Sequence, residues 1–164
     1  KFPKQIVKLK YFENVNSNFQ SEEKFINKKF ELIENSNAKK KMTPQKERKG
    51  QSTFRKKILQ AYNYSCAITQ ENQKEVLEAA HIQTYLNEDS NNIQNGLCLR
   101  VDIHKLFDNG LITINQDYKI ILSSFLLSSN YKILDNKKII LPAEQNYYPS
   151  LEALNYHYKY IFRK

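Results

Sequence analysis

The chain of 164 residues has few cysteines and no long hydrophobic run. Two cysteines, Cys66 and Cys98, are too few for a disulfide framework, which excludes a small disulfide-rich secreted scaffold. The longest apolar stretches are too short to cross a bilayer, so no membrane-spanning helix and no membrane partner are expected. The sequence also lacks internal repeats and long low-complexity tracts. These absences favour a globular protein in the reducing cytoplasm, long enough to bury one core.

Positive charge is concentrated in the first third of the chain. The formal net charge is +9. Residues 1–57 contain 16 Lys and Arg against six acidic residues, whereas residues 58–164 contain 10 against 11. Such a region suits a polyanion such as DNA, although a solvated lysine-rich face would have the same composition. The residues predicted to contact DNA are Arg48, Lys49, Arg55, Lys56, Lys57 and Arg100.

The most informative stretch of the sequence lies between residues 76 and 110. A short apolar segment over 76–82 predicts a strand, and a polar segment rich in Asn and Asp over 84–95 predicts a loop. Residues 97–99 fit a second strand, and a short helix is predicted after it. The order is therefore strand, loop, strand, helix.

The short helix carries two residues that suit a metal ion. Asp102 is predicted to cap its start, and Asn109–Gly110 can end it in a left-handed turn. His104 and Asp108 are four residues apart, so both side chains lie on one face of the helix. A neutral imidazole and a carboxylate placed in this way can hold a divalent cation.

These residues together resemble the HNH endonucleases, whose core is a ββα-metal finger. The first motif histidine matches His81 in A-A-H-I, the asparagine matches Asn95 in N-G-L, and the last histidine matches His104 in D-I-H-K-L-F-D. Asn95 follows His81 by 14 residues, and His104 follows Asn95 by nine. The sequence is most similar to the branch found at the C-terminal end of predicted restriction endonucleases. The resemblance covers residues 48–162 and is densest over 77–111.

The resemblance implies a role for each motif residue. His81 is expected to act as the general base that takes a proton from the attacking water. Asn95 is expected to brace the loop and orient the histidine strand. His104 and Asp108 are expected to hold one divalent metal ion, with Mg²⁺ or Mn²⁺ favoured and Zn²⁺ or Ni²⁺ as alternatives.

One position departs from the pattern of many relatives, which have a metal-binding residue directly before the base. Here that residue is Ala80, which cannot coordinate a metal. Glu78 lies two residues earlier and shares the same strand face. It is expected to be a third metal ligand or to accept a hydrogen bond from a metal-bound water. The alternative is a carboxylate that faces solvent or pairs with a lysine. Arg100 also keeps two interpretations, a phosphate contact or a partner for Asp102.

Many HNH proteins also bind a structural zinc through two C-x-x-C pairs. In this sequence Thr69 stands three residues after Cys66, and Cys98 is alone. We therefore expect no structural zinc. Both thiols are expected to pack as small hydrophobic groups.

The flanking sequence predicts further helices and hairpins. A helix is predicted over 21–35, and a second begins at Ser52 or Thr53. Hairpins are predicted over 111–122 and 131–141. A final helix is predicted to be capped by Ser150, with His157 as a structural histidine beside its apolar stripe. The residues predicted to be apolar contacts of the first helix are Ile26, Phe30 and Ile33, and those of the last are Leu151, Leu154, Tyr158 and Ile161.

The predicted fold class is α+β, a ββα-metal finger core with flanking helices and short β-hairpins. Residues 1–47 are predicted to form a basic helical and linker segment, and residues 48–164 the nuclease domain. Because the sequence opens on Lys1 rather than Met, we expect a fragment whose front part is missing. An upstream specificity domain and a homodimer are left open.

The favoured function is a metal-dependent DNA endonuclease in restriction or another defence against foreign DNA. Two alternatives stay open. One is a nuclease that acts on structured DNA or RNA in repair or recombination. The other is a DNA-binding module whose site is inactive.

Overall fold

The computed structural model describes residues 28–33 and 50–164. Helices and two small antiparallel sheets alternate along these residues, which confirms the predicted α+β class. Among the described helices, none combines the length and apolar character that crossing a membrane demands. The helices and strands are α1 (Gln51–Ala61), β1 (Leu77–His81), β2 (Gly96–Arg100), α2 (Val101–Asp108), β3 (Ile112–Ile114), β4 (Ile120–Leu122) and α3 (Leu151–Tyr160).

The predicted strand, loop, strand and helix are all present. β1 and β2 pair antiparallel, with Leu77 opposite Arg100 and His81 opposite Gly96. α2 follows β2 directly and buries Ile103 and Phe107. This arrangement places the start of α2 beside the start of β1, and His81 at the other end of the strand pair.

Only the C-terminal end of α2 agrees with the sequence prediction. Asn109 is the C-terminal cap of the helix, and Gly110 follows with a φ of 67°, as the predicted left-handed turn requires. The prediction that Asp102 caps the helix was wrong. Arg100 occupies the cap position, and Asp102 lies inside the first turn because its carboxylate is engaged by the Arg100 guanidinium.

Helix α1 packs on the β1–β2 sheet through Phe54, Ile58 and Leu59. It begins at Gln51, slightly before the predicted start, and no side chain caps it. A Cβ atom on Gly96 would lie 2.3 Å from Ile58 Cδ1 and 2.8 Å from Phe54 Cζ. The glycine of the N-G-L motif therefore allows α1 to approach β2 closely.

The C-terminal part is a hairpin covered by a helix. β3 and β4 pair antiparallel, which confirms the first predicted hairpin. Ser150 caps α3 as predicted, because its hydroxyl accepts a hydrogen bond from the Ala153 amide at 3.3 Å. The buried face of α3 is formed by Ala153, Leu154 and His157, whereas Leu151 is 44% exposed. The predicted apolar stripe was therefore wrong at its first residue, and His157 belongs to the buried face.

Two other predicted elements differ from the structure. The second hairpin was wrong. Residues Ser129–Leu134 form a 3₁₀ helix, and a single bridge between Lys119 and Lys138 replaces the expected pairing. The helix predicted over 21–35 was wrong in its described part, since residues 28–33 have no helical structure. Its other residues, Ile26 among them, lie outside the described part of the chain.

His157 and the two cysteines are packed inside the molecule. His157 Nε2 donates to the Phe107 carbonyl oxygen at 3.1 Å, and its Nδ1 accepts from the Thr113 hydroxyl at 2.9 Å. Cys66 and Cys98 are both fully buried. Burial raises the pKa of the Cys98 thiol to about 12, so this group stays protonated.

Candidate active site

His81 stands at the end of β1 with its ring held on two sides. The ring stacks on Phe54 with centroids 4.1 Å apart and planes 10° from parallel, and Tyr85 contacts it edge-on. Its Nε2 lies 3.1 Å from Oδ1 of Asn91. Because an amide oxygen only accepts, Nε2 carries the ring proton and Nδ1 carries the basic lone pair. The ring is therefore oriented before any substrate arrives.

Asn95 lies behind His81 and is fully buried. Its Oδ1 accepts from the Gln83 amide at 2.8 Å, and its Nδ2 donates to the carbonyl oxygens of Gln83 and Ser90, each at 3.0 Å. All of these partners belong to the β1–β2 connection. The contacts direct the carboxamide into the protein and tie Gln83 to Ser90 within this connection.

A second cluster joins β1 to α2. Oε2 of Glu78 lies 2.6 Å from His104 Nδ1, and Oδ2 of Asp108 lies 3.4 Å from His104 Nε2. The two carboxylates thus face opposite nitrogens of one imidazole ring. We call Glu78, His104 and Asp108 the acidic row. The His104 side chain is 20% exposed, whereas those of Glu78 and Asp108 are 41% and 56% exposed.

The acidic row favours positive charge at its centre. Burial alone would lower the pKa of His104, but the hydrogen bonds and charges of Asp108 and Glu78 raise it by more. The net effect is a pKa above the ordinary value of 6.5. The surroundings of His104 are therefore suited to a cation.

The acidic row contains the three residues predicted to bind the metal, but it does not direct all three to one point. Nε2 of His104 and Oδ2 of Asp108 are 3.4 Å apart, close enough to bind one divalent ion after a small adjustment. The prediction of Glu78 as a third ligand is not supported by the geometry, because its carboxylate bonds Nδ1 on the other side of the ring. Among the described residues, no three His, Cys, Asp or Glu side chains are grouped to hold a metal. Ala80 is completely buried.

Comparison with known families gives this arrangement a context. Residues 66–115 match the model of the HNH endonuclease family. We call this matched segment the HNH domain. The domain includes all the residues of the acidic row together with His81 and Asn95. None of the curated proteins matches the sequence.

One similar solved structure is that of the modification-dependent TagI restriction endonuclease. Sequence identity is 20%, and the similarity covers 65% of this chain and 36% of that chain, with a TM-score of 0.45. The present chain thus spans about a third of the length of that protein.

Arg100 lies at the junction of β2 and α2 in the HNH domain. Its guanidinium forms two hydrogen bonds with Asp102, at 2.6 Å and 2.8 Å, and the Tyr131 hydroxyl donates to the same carboxylate at 3.1 Å. The Arg100 guanidinium is the main cause that lowers the pKa of Asp102 to about 2. Of the two interpretations from the sequence, the structure shows the pairing with Asp102.

The basic residues of α1 lie on the helix that supports the HNH domain. Arg55 and Lys56 are exposed, and Lys57 is half-buried. One Arg55 guanidinium nitrogen donates to the Leu77 carbonyl oxygen at 2.7 Å and so ties α1 to the start of β1. Lys56 and Lys57 line an open groove on the outer side of the helix. The other two predicted DNA contacts, Arg48 and Lys49, lie outside the described residues.

The sequence did not single out Asn91, which contacts the histidine expected to be the base. Asn91 ends a 3₁₀ turn in a connection that also contains Asn87 and Asn92. All three have the same residue type and similar neighbours, so composition could not distinguish them. The stacking of Phe54 on His81 was not predicted either, because it depends on how α1 lies on β1.

Proposed function

We propose that this chain is a metal-dependent HNH endonuclease that hydrolyses the phosphodiester bonds of DNA. The observation that carries the proposal is that β1 carries both an oriented imidazole, His81, and Glu78, whose carboxylate bonds His104 of the acidic row on the following helix. The role in restriction or another defence against foreign DNA rests on the sequence resemblance. A cytoplasmic location, a homodimer and an upstream specificity domain stay predictions from the sequence.

His81 is the proposed general base. Hydrolysis requires water to lose a proton as it attacks phosphorus, and a neutral imidazole accepts that proton near neutral pH. Asn91 holds the Nε2–H, so Nδ1 is the nitrogen that takes the proton. Stacking on Phe54 limits rotation of the ring and keeps Nδ1 directed at one position. The residues thus supply orientation as well as basicity.

His104 and Asp108 are the proposed metal-binding residues. A bound divalent ion would neutralise charge on the phosphate and stabilise the leaving oxygen. Glu78 accepts a hydrogen bond from His104 Nδ1–H, and this leaves the lone pair of Nε2 directed towards Asp108. A carboxylate on the remote nitrogen of a ligating histidine fixes its tautomer and ring orientation and makes it a better ligand. Glu78 is therefore a positioning residue in this mechanism.

Cleavage of a supercoiled plasmid tests the proposal. The 164-residue chain should convert the plasmid to nicked or linear DNA with Mg²⁺ or Mn²⁺, and EDTA should abolish the reaction. A chain that binds DNA but never cleaves it with any of Mg²⁺, Mn²⁺, Zn²⁺ or Ni²⁺ would be the inactive binding module. Duplex, branched and single-stranded substrates then separate a defence nuclease from one that recognises DNA structure, because only the latter should prefer the branched substrate.

A further inference from the structure

Residues 28–33 lie against the HNH domain although residues 34–49 separate them from α1 in sequence. We call residues 28–33 the strap. Phe30 is 2% exposed and belongs to the main hydrophobic core, whereas Lys28, Lys29 and Leu32 are exposed. The strap is therefore anchored by one aromatic side chain.

The backbone of the strap is bound by side-chain amides. Gln83 contacts both sides of Ile33, accepting from its amide at 3.1 Å and donating to its carbonyl oxygen at 3.0 Å. Oε1 of Gln94 accepts from the Phe30 amide at 2.8 Å. Nδ2 of Asn92 donates to the Lys28 carbonyl oxygen at 2.7 Å. These hydrogen bonds bind the backbone of the strap at Lys28, Phe30 and Ile33.

All three amides come from one segment, residues 82–95, which we call the active-site loop. This segment connects β1 to β2 and also carries Asn91, the partner of His81. Asn92 bonds both the loop and the strap, because its Oδ1 accepts from the Gln94 amide and its Nδ2 donates to the Lys28 carbonyl oxygen. Gln83 is bound on its backbone by Asn95 and on its side chain by the strap.

The active-site loop has little regular structure of its own. It contains two short 3₁₀ turns, Glu88–Asn91 and Ile93–Asn95, and no strand. A segment of this kind has many conformations open to it unless tertiary contacts restrict them. Strap contacts at Gln83, Asn92 and Gln94 lie on both sides of Asn91 in sequence. The strap therefore restricts the part of the loop that orients the imidazole.

We propose that the strap is a positioning element for catalysis, holding the active-site loop so that Asn91 stays on His81. The proposal rests on the function proposed for His81. It assigns residues 28–33 to the working nuclease unit, although the sequence prediction placed them in the basic helical and linker segment of residues 1–47. If the strap contact is lost through a substitution of Phe30, the chemical step should be slower and DNA affinity nearly unchanged, because every basic residue is retained.

Phe30→Ala in the full 164-residue chain tests the proposal, with Leu32→Ala as the matched control. Both substitutions shorten an apolar side chain of the strap, but only Phe30 is buried. In Phe30→Ala we expect faster amide hydrogen exchange over residues 82–95, unchanged exchange over β3 and β4, and a shifted His81 ring signal in NMR. Single-turnover cleavage should fall roughly 10- to 100-fold, as expected for a misplaced catalytic group. Leu32→Ala should match the unmodified chain.

A second pair of variants leaves the core untouched. Asn92→Asp keeps the oxygen that caps Gln94 but removes the donor to Lys28, whereas Gln94→Glu keeps the oxygen that accepts from Phe30 and removes a donor to the Asn146 carbonyl, which lies outside the strap. Asn92→Asp should therefore release the strap from residues 82–95, and Gln94→Glu should not. This pair decides the question if Phe30→Ala does not fold.

Two results would overturn the proposal. One is unchanged exchange over residues 82–95 in both Phe30→Ala and Asn92→Asp. The other is an equal rise of exchange over the active-site loop and over β3 and β4, which would make Phe30 a support of the whole core. Hydrogen exchange and the His81 signal need no substrate, so they remain informative even if the unmodified chain cleaves nothing. In that case the proposed function fails, and the strap contact is still tested.

Discussion

His104 lies on helix α2 and His157 packs against the same helix at Phe107, and their surroundings shift their pKa values in opposite directions. His104 is held between two carboxylates, and these raise its pKa more than its burial lowers it. His157 is buried between Thr113 and Phe107, and burial lowers its pKa to about 4 despite the nearby Phe107 carbonyl. One histidine is therefore suited to hold positive charge and the other to remain neutral. Hydrogen-bond partners, rather than the residue type, distinguish the histidine suited to chemistry from the structural one.

The largest effect is expected from substitution of His81, which should slow DNA cleavage without lowering the stability of the folded chain. His81→Ala should lower the single-turnover cleavage rate by about 10²–10⁴, the usual contribution of a general base. Thermal unfolding and DNA affinity should stay close to those of the unmodified chain, because His81 is only half-buried and the basic residues are unchanged. Retention of the normal cleavage rate would remove His81 from the mechanism.

The next largest effect concerns His157, which should make the folded chain less stable as the pH falls. The folded-state pKa of His157, about 4, lies below the unfolded value near 6.5, so the unfolded chain takes up a proton first as the pH falls. The stability that this difference supplies is complete above about pH 6.5 and is lost as the pH falls towards 4. The loss from this group should be about 3 kcal/mol.

Urea unfolding at several pH values between about 7 and 4 measures this dependence. His157→Gln should be less stable than the unmodified chain at neutral pH, because the buried imidazole contacts are absent, and should show a smaller decrease on acidification. An identical pH dependence in His157→Gln and the unmodified chain would show that other groups cause the decrease.

A smaller effect is expected at the remote end of the acidic row. Glu78→Gln can still accept from His104 Nδ1 but removes the negative charge. The Mn²⁺ concentration for half-maximal cleavage should rise about tenfold, at the lower end for a group that positions a metal ligand. His104→Ala and Asp108→Ala should raise it further. Direct Mn²⁺ binding, followed by electron paramagnetic resonance, should give the same order. Glu75→Gln, an exposed acid near the start of β1, is the control.

The smallest effect should come from the basic front of the chain. Replacing Lys39, Lys40 and Lys41 with Gln removes three charges without shortening the chain. If these lysines neutralise phosphates, the slope of log affinity against log salt should decrease by about 0.9 for each phosphate that is no longer neutralised. DNA binding at several salt concentrations measures the slope. An unchanged slope would mean that these lysines face solvent, and the comparison between the histidines would be unaffected.

The sequence was sufficient to predict the parts of the fold that depend on local patterns. The order of β1, β2 and α2, the β3–β4 hairpin and the Ser150 cap all follow from periodicity and turn residues that act over a few positions. The helix over 21–35 failed in residues 28–33 for a different reason. The amides of Phe30 and Ile33 bond Gln94 and Gln83, which are distant in sequence, and local propensity does not reveal such partners.

The sequence identified the residues of the candidate site but not the contacts between them. Spacing identified His81, Asn95 and His104 because the family motif fixes their order. Which nitrogen of His104 meets Glu78 depends on how α2 lies across β1, and this is a tertiary property. The prediction that Asp102 caps α2 was wrong for a similar reason, since its carboxylate is bound by the Arg100 guanidinium.

The burial of Asn95 also affects how the protein ages. Asn95 precedes Gly96, and an asparagine followed by glycine is the pair most prone to deamidation, because the unhindered glycine nitrogen attacks the side-chain amide. In the folded chain three hydrogen bonds hold that amide away from such an attack. Each period of unfolding exposes it, and conversion to aspartate or isoaspartate would leave a negative charge where the loop needs a donor. Heat damage to this protein should therefore include a covalent change at Asn95, whereas Asn109, which also precedes a glycine, is already exposed in the folded chain.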